Sequence, residues 1–426
     1  MNNKQNSSGR HFGFISTRFA GTDGVSLEAK KWAHVLSCSG HESYWFAGKL
    51  DTDPSRSMLV PQVFFEDEEN RRINAQIFGR RDRSRECTQR IYELKEKIKD
   101  NIYEFIDKFG VEILVAQNCL TIPMHLPLGL ALTEVIVESR LPTIAHHHDF
   151  HWERDRFAIT AVPDYLHMAF PPKLQNIQHV VINTSAREQL AHRTGITSLV
   201  IPNVLDFDLV PPTVDDFSAS FRKDIGLADD DVLILQPTRI VSRKGIEHAI
   251  ELMRRLKNPK CKLVISHDAG DEGLEYQEFL TDYAAGVGVD MRIVSRQVSS
   301  MRSEDKELGK HYTLWDAYLH ADLITYPSLY EGFGNAFLEA VYFRKPLLVN
   351  RYSIYIRDIE PKGFNVVEMN GYVTRAVVDE VRKILEDAEY RQNMVEQNFE
   401  LGRKYYSYEV LERRLNHILS VIFGLE

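Results

Sequence analysis

The sequence is poor in cysteine, with four in 426 residues and no C-x-x-C pair, so it carries no metal or redox signature of that kind. Four scattered cysteines fit free thiols in a reducing compartment, and we predict a cytoplasmic protein. The polar first residues lack the apolar core of a signal peptide, so residues 1–10 are predicted to be a disordered lead. The cysteines are Cys38, Cys87, Cys119 and Cys261.

Long apolar runs and an excess of positive charge are also missing. No stretch of about 18 apolar residues is present, so no transmembrane helix is predicted. Lys and Arg number 52 against 61 Asp and Glu, a formal charge of −9, which argues against a nucleic-acid partner. A local basic pocket for a phosphorylated small molecule remains compatible with this balance. The hydrophobic fraction of 43% and the length indicate a globular chain of two or three domains.

Short apolar runs alternate with helical patterns along the chain. The runs are rich in Ile, Val, Leu and Phe, as strands buried on both faces of a parallel sheet should be. One charged segment, from Ile91 to Phe109, carries an apolar stripe at helical spacing. The alternation predicts parallel sheets with helices on both faces. The predicted strands are His11–Ser16, Tyr44–Ala47, Ile113–Gln117, Thr143–His146, His179–Ile182, Val232–Gln236, Lys262–Ser266, Met291–Val294, Leu323–Tyr326 and Leu347–Asn350.

The predicted strands form two series separated by a proline-containing stretch. We therefore predict an α/β protein of two Rossmann-like domains that face each other across a deep cleft, with ligands bound beyond the carboxyl ends of the strands. A final amphipathic helix is expected to join the first domain. The expected parts are a first domain at 11–205, a linker at 206–216, a second domain at 217–404 and the helix at 405–426.

A glycine-bearing loop before a predicted helix is the most informative segment. Gly332 and Gly334 precede a helix that begins near Asn335, and free N–H groups at such a helix start suit a phosphate. Glu331 and Glu339, eight positions apart, could each accept hydrogen bonds from sugar hydroxyls. The alternative is a tight turn with Glu339 facing solvent.

Two cations lie upstream of this loop. Arg239 follows a predicted strand and Lys244 precedes a helix, so together they could hold a diphosphate and stabilise it as it leaves. A solvated basic loop with an ordinary helix cap is the alternative.

Gly21 and Gly24 follow the first strand and would allow a phosphate to approach the backbone, although no G-x-G-x-x-G motif is present. Asp51 and Asp53 resemble a D-x-D metal motif, but a surface turn is favoured.

Three consecutive histidines end the fourth predicted strand. Alternation places His146 and His148 on one side and His147 on the other. Tandem histidines lack the usual spacing of zinc ligands, so a polar wall of a site is favoured over a metal centre.

Together these segments resemble the retaining glycosyltransferases of family 4, which have the GT-B fold. The matching segments are FAGTDG at 19–24, HD at 148–149, RIVSRKG at 239–245 and EGFGNAFLEA at 331–340, the last containing an E-x7-E motif. The likeness extends to enzymes of the sucrose-phosphate synthase and mannosylglucosylglycerate synthase type. It implies a hexosyltransferase that uses a UDP- or GDP-hexose, with no obligatory cofactor and Mg²⁺ not essential.

The resemblance also implies roles for individual residues. Arg239 and Lys244 would bind the donor diphosphate, Glu331 would lie near the donor sugar, and Glu339 would hold the ribose hydroxyls. His148 would lie near the sugar, although His146 and His147 leave this placement open. Backbone contacts to the donor are implied for Phe333, Gly334, Asn335, Gly21 and Gly24.

The acceptor is less defined by the sequence. An arginine pair beside a tryptophan could hold an anionic small acceptor such as a sugar phosphate or glycerate derivative. A surface-polysaccharide or glycolipid transferase is the main alternative, and a nucleotide-sugar epimerase or hydrolase or a non-catalytic nucleotide-binding protein is the other. The candidate acceptor residues are Gln117, Asn118, Trp152, Arg154 and Arg156.

Overall fold

The chain folds into two units, each built on one parallel sheet. Among the described residues, the first unit takes those up to Val204 and from Tyr408 onward, and the second takes those from Leu205 to Ser407. Arg10, the last residue of the predicted lead, pairs with Glu112 at 2.5 Å, whereas residues 1–8 lie outside the described part of the chain. The computed structural model describes residues 9–21, 23–269, 274–305 and 309–424.

The sheet of the first unit has seven strands, all parallel, in the order β3-β2-β1-β4-β5-β6-β7. Five of its strands were predicted, while the short β3 and β7 were not. The strands are β1 His11–Ile15, β2 Glu42–Ala47, β3 Ser57–Leu59, β4 Ile113–Gln117, β5 Thr143–His147, β6 Ile177–Val181 and β7 Leu199–Val200.

Helices cover both faces of this sheet. One face packs against α1 and α14, where Trp32, Leu411 and Leu415 are buried. The other face packs mainly against α3 and α4. The helices are α1 Gly24–Cys38, α2 Glu68–Ile77, α3 Arg85–Phe109, α4 Leu126–Ser139, α5 Pro163–Ala169, α6 Thr184–Thr194 and, after the second unit, α14 Tyr408–Phe423.

The apolar stripe predicted from Ile91 to Phe109 lies on α3. Ser84 caps the start of this helix, since its hydroxyl accepts from Cys87 N at 3.0 Å, and Gly110 ends it with φ +58°. Ile98, Ile102 and the other stripe residues up to Phe105 are buried, and burial of each such side chain stabilises the fold by about 1.5–3 kcal/mol.

The main sheet of the second unit has six parallel strands in the order β10-β9-β8-β14-β15-β16. A small sheet, β11-β13-β12, lies in the same unit and was not predicted. The strands are β8 Val232–Gln236, β9 Cys261–Ile265, β10 Met291–Ile293, β11 Val298–Ser299, β12 Ser303–Asp305, β13 Gly309–Thr313, β14 Leu323–Tyr326, β15 Leu347–Asn350 and β16 Val367–Met369.

The helices of the second unit follow its strands in the α/β pattern. The apolar side of α8, from Ile246 to Leu256, is buried against the sheet. Across the described ranges of both units, no helix is long and apolar enough to cross a membrane. The helices are α7 Phe221–Asp224, α8 Ile246–Leu256, α9 Leu274–Gly286, α10 Leu314–His320, α11 Asn335–Tyr342, α12 Arg375–Glu386 and α13 Ala388–Tyr406.

Candidate active site

A buried ion pair joins two loops of the second unit. Lys244 Nζ donates to Glu331 Oε1, and Arg243 Nη1 donates to Glu331 Oε2 at 3.1 Å. Lys244 and Glu331 are each only 8% exposed, whereas Arg243 is exposed. One buried carboxylate therefore holds two cations in place.

The sheet topology explains why these residues meet. Strands β8 and β14 are neighbours and run parallel, so the loops after them start at the same edge of the sheet. Lys244 ends a single 3₁₀ turn before α8, and Glu331 lies in the loop before α11. Leu329 N donates to Arg243 O at 2.8 Å, which ties the two loops together.

The environment of this cluster shifts the pKa values of both buried partners downward. Burial lowers the pKa of Lys244, and Arg243 and Arg239 add to this effect against the opposing attraction of Glu331. Burial alone would raise the pKa of Glu331, but Lys244 and Arg243 outweigh it, so the pKa lies below its ordinary value. Two cations on one carboxylate leave a net positive charge, which suits an anionic ligand.

Arg239 lies in the same loop as Lys244, as the sequence predicted. Its side chain is exposed. Its guanidinium makes no hydrogen bond or ion pair with any residue that the structure describes. It therefore remains available for a ligand anion.

The glycine loop leads directly into α11. Phe333 is buried, Gly334 precedes the helix with φ +127°, and Asn335 is its first residue. Glu339, on the next turn of α11, is half-buried and accepts from Tyr318 Oη at 3.0 Å. Glu339 therefore does not simply face solvent, which was the alternative that the sequence left open.

In the first unit, two of the three tandem histidines are built into the packing. His146 stacks on Trp32 with ring centroids 4.2 Å apart, and its Nδ1 lies 3.0 Å from Gln117 Oε1. On the face of the sheet opposite His146, His147 Nε2 lies 2.9 Å from Nδ1 of His179. Both residues are 1% exposed.

His148 lies just beyond β5 and is partly exposed. Its backbone N–H donates to Asn118 Oδ1 at 3.0 Å, and Asn118 Nδ2 donates to Asp149 Oδ1 at 2.8 Å. Burial lowers the pKa of His148 to about 4, so its imidazole is neutral at pH 7. A neutral imidazole can both donate to and accept from a sugar hydroxyl.

The five candidate acceptor residues all have interactions within the first unit. Gln117 is fully buried against His146, so it supports the histidine rather than facing a ligand. Only Arg154 and Arg156 are exposed. The remaining interactions are Asn118 with the His148–Asp149 backbone, Trp152 Nε1 with Gln189 Oε1 at 3.0 Å, Arg154 with Asp149, and Arg156 over the Phe157 ring at 4.4 Å.

The glycine loop after β1 is tied to the D-x-D segment. Gly21, with φ +78°, donates its N–H to Asp51 Oδ2 at 2.8 Å, and Gly24 is the first residue of α1. Asp53 caps a 3₁₀ turn by accepting from Ser55 N at 2.9 Å. Both aspartates thus have backbone roles, and in the described ranges no group of three or more His, Cys, Asp or Glu is arranged to hold a metal ion.

The chain is similar to known proteins over most of its length. The family described as Glycosyl transferases group 1 matches residues 217–401. Mannosylglucosylglycerate synthase of Petrotoga mobilis is 33% identical over 380 residues, which cover 84% of this chain and 86% of that protein. The protein of the same name from Thermotoga maritima is 32% identical over 428 residues, or 92% of this chain and 95% of that protein. The chain belongs to the group 1 glycosyltransferases.

Solved structures confirm the predicted fold class of this glycosyltransferase, GT-B with two Rossmann-like domains. A glycosyltransferase from Rickettsia africae has a TM-score of 0.71 at 12% identity, covering 99% of this chain and 100% of that one. Sucrose-phosphate synthase from Thermosynechococcus elongatus has a TM-score of 0.67 at 15% identity, covering 98% and 100%.

Some residues of the glycosyltransferase's candidate site were missed by the sequence reasoning. Arg243 is the second cation on Glu331, and its place beside Lys244 in the RIVSRKG segment was a usable signal. Asp51 was considered only as a metal ligand or turn residue, whereas it holds the backbone of Gly21. Tyr326, whose ring centroid lies 5.5 Å from Lys244 Nζ, carried no signal in the sequence.

Gly245 fixes how closely the two loops approach, and its replacement by alanine should destabilise the enzyme. Its φ is +59°, and an added Cβ would lie 2.6 Å from the carbonyl oxygen of Pro327. We expect Gly245→Ala to cost about 1–2 kcal/mol for the left-handed backbone and more for the clash with Pro327. Urea unfolding measures this loss.

Gly288→Ala is the matched control, because Gly288 has φ +71° but no atom within 4 Å of its added Cβ. Gly288→Ala should lose only the stability that the left-handed backbone conformation costs, and it should keep full activity. Gly245→Ala should also lose activity, because Lys244 and Glu331 would separate. Equal losses of stability in the two variants would contradict the close approach.

Proposed function

We propose that this glycosyltransferase moves a hexosyl group from a nucleotide diphosphate sugar to a hydroxyl of a small acceptor that carries a carboxylate. The two relatives named mannosylglucosylglycerate synthase support this choice, since both match the chain over more than four fifths of its length. In the product of that name the outermost sugar is mannose. We therefore propose mannosyl transfer to glucosylglycerate as the reaction.

The observation that carries the proposal is the cationic cluster around Glu331. Loss of a nucleoside diphosphate places negative charge on the leaving phosphate oxygens, and fixed cations lower the energy of that state. Lys244 would supply this stabilisation from a buried position, where charges interact more strongly than in water. Glu331 holds the ammonium in place, and Arg239 is exposed and available for the diphosphate.

We propose that the transfer retains the anomeric configuration by attack from the side of the leaving group. The acceptor oxygen bonds to the anomeric carbon as the bond from that carbon to phosphate oxygen breaks, and a phosphate oxygen takes the acceptor proton. A double displacement would instead need a free carboxylate as nucleophile. Glu331 is a poor candidate for that role, because two cations already bind its oxygens.

The same proposal assigns roles to the other residues around the donor. Glu339 would accept from the ribose hydroxyls, and Gly334 and Asn335 would offer backbone N–H groups to the diphosphate. In the first unit, we propose that the neutral imidazole of His148 hydrogen-bonds the transferred sugar. Asn118 and Gln117 would hold the segment that carries it.

A ligand and product screen tests the proposal. Among UDP, GDP and ADP, one should stabilise the enzyme clearly, since a ligand at 100 times its Kd adds about 2.7 kcal/mol. The mannose or glucose ester of that nucleotide, incubated with glucosylglycerate, should give a product whose anomeric proton shows the α-configuration of the donor by NMR.

Two controls make the screen decisive. Glucosylglycerol, which lacks the carboxylate, should be a much poorer acceptor. Release of free hexose at the same rate with and without acceptor would show a hydrolase instead, and formation of the inverted anomer would exclude the retaining route.

A further inference from the structure

A buried tyrosine from a different loop supports the glycine loop before α11. Tyr352 lies just after β15 and is 2% exposed. Its Oη donates to the carbonyl oxygen of Phe333 at 2.7 Å. Burial raises the pKa of Tyr352 well above its ordinary value, so the hydroxyl remains a donor across the pH range of the enzyme.

This hydrogen bond determines the direction of the next N–H group. The Phe333–Gly334 peptide is trans, so its C=O and N–H point to opposite sides. With the carbonyl held toward Tyr352, the Gly334 N–H points away from the tyrosine. That N–H has no acceptor among the residues that the structure describes.

Gly334 itself shows how closely the loop rests on the tyrosine. An added Cβ would lie 2.6 Å from Tyr352 Oη and 3.4 Å from the Tyr326 ring. The rings of Tyr326 and Tyr352 are nearly perpendicular, with centroids 6.2 Å apart. Because Tyr326 also contacts Lys244, the loop backbone and the buried ammonium share one support.

We infer that Tyr352 is a positioning residue for the donor diphosphate, because its hydroxyl orients the Phe333–Gly334 peptide so that the Gly334 N–H faces the phosphate oxygens. The inference rests on the proposed function, in which this loop binds the donor. It assigns a role in donor affinity to a residue outside the E-x7-E segment.

The test compares Tyr352→Phe with Tyr355→Phe. Tyr355 is also buried, lies three residues later and donates to Glu368 Oε1 at 2.6 Å, away from the glycine loop. Titration calorimetry with UDP and GDP, and with uridine and guanosine, separates diphosphate contacts from base contacts. Tyr352→Phe should weaken binding of the preferred nucleoside diphosphate about 5-fold and leave the nucleoside unchanged, whereas Tyr355→Phe should change neither.

Kinetics provide a second readout. Tyr352→Phe should raise the KM for the donor and leave the KM for the acceptor unchanged, which a general loss of folding would not do. If Tyr352→Phe unfolds, Gly334→Ala tests the same contact by pressing a methyl group against Tyr352 Oη, and it should show the same selective loss.

The outcomes distinguish a wrong donor site from a wrong role for Tyr352. If Lys244→Met binds the diphosphate as tightly as the wild type, the donor site of the proposed function is wrong. If Lys244→Met loses binding while Tyr352→Phe retains it, or if Tyr355→Phe loses as much as Tyr352→Phe, the role inferred for Tyr352 is wrong.

Discussion

Lys244→Met should lower kcat by about 100- to 1000-fold, the usual cost of removing one fixed group that stabilises charge in the transition state. The methionine fills a similar volume, so the loop is expected to remain packed, but no ammonium is left beside the leaving diphosphate. Arg243 and Arg239 are both exposed and cannot replace a buried charge at the same position. Steady-state rates at saturating donor and acceptor measure the effect.

Lys345→Met is the matched control for this prediction. Lys345 is a partly buried lysine of the second unit, with its pKa also lowered by burial, but its Nζ donates to the Leu319 carbonyl at 2.9 Å and not to a carboxylate. Its loss should affect stability and leave kcat within a factor of about 2, because a charge that is far from the reacting atoms contributes little there. A similar drop in kcat in both variants would contradict the role of Lys244.

A double variant separates charge from folding. Glu331→Leu alone leaves the Lys244 ammonium buried with no carboxylate, which typically costs about 3–5 kcal/mol. Lys244→Met combined with Glu331→Leu removes both charges and should recover most of that stability, but not the activity. If the double variant recovered the activity, the Lys244–Glu331 pair would contribute to stability only and not to catalysis.

The strands that the sequence revealed are those buried on both faces. Val232–Gln236 and Leu323–Tyr326 are continuous apolar runs, and the structure confirms them to the residue. Strand β12, Ser303–Asp305, is short, polar and exposed, so it has neither an apolar run nor an alternation to detect. Its pairing with β13 depends on tertiary contacts that no local pattern records.

The residues of the candidate site also fall into those that the sequence indicated and those that it did not. Arg239, Lys244 and Glu331 could be found because each lies between a recognisable strand and the helix that follows it, and parallel strands bring their carboxyl ends to one edge. The contacts of Tyr352 with Phe333 and of Asp51 with Gly21 join residues 19 and 30 positions apart. Such pairs depend on which strands are neighbours in the sheet, and the sequence does not show this order directly.

The first unit should lose stability steeply as the pH falls from 7.5 to 5.5. Four of its histidines are buried and His148 is partly buried, and this burial lowers the pKa of His125, His148 and His179 to about 4 and the pKa values of the other two well below 6.5. The unfolded chain takes up protons below about pH 6.5 and the native unit does not, so the stability is complete above that pH and decreases below it. The five are His125, His146, His147, His148 and His179.

The expected loss of unfolding free energy at low pH is the second large effect. One pH unit below 6.5 costs about 1.4 kcal/mol for each histidine that stays neutral in the native state. Several such residues together approach the whole stability of a typical domain, about 5–15 kcal/mol. Urea unfolding followed by tryptophan fluorescence reports mainly on this unit, since Trp32, Trp45 and Trp152 belong to it and only Trp315 to the other.

Two variants identify the source of the acid sensitivity. His179→Gln removes one partner of the His147–His179 pair, so the pH dependence should become shallower by about one histidine, even if stability at pH 7.5 falls. His417→Gln, at an exposed position of α14, should leave the slope unchanged. A midpoint that stays constant between pH 7.5 and 5.5 would show that the buried rings take up protons without unfolding. Because His148 stays neutral in the native unit down to about pH 4, the activity of each folded molecule should hold between pH 7.5 and 5.5, and any loss of activity there should follow the loss of folded protein.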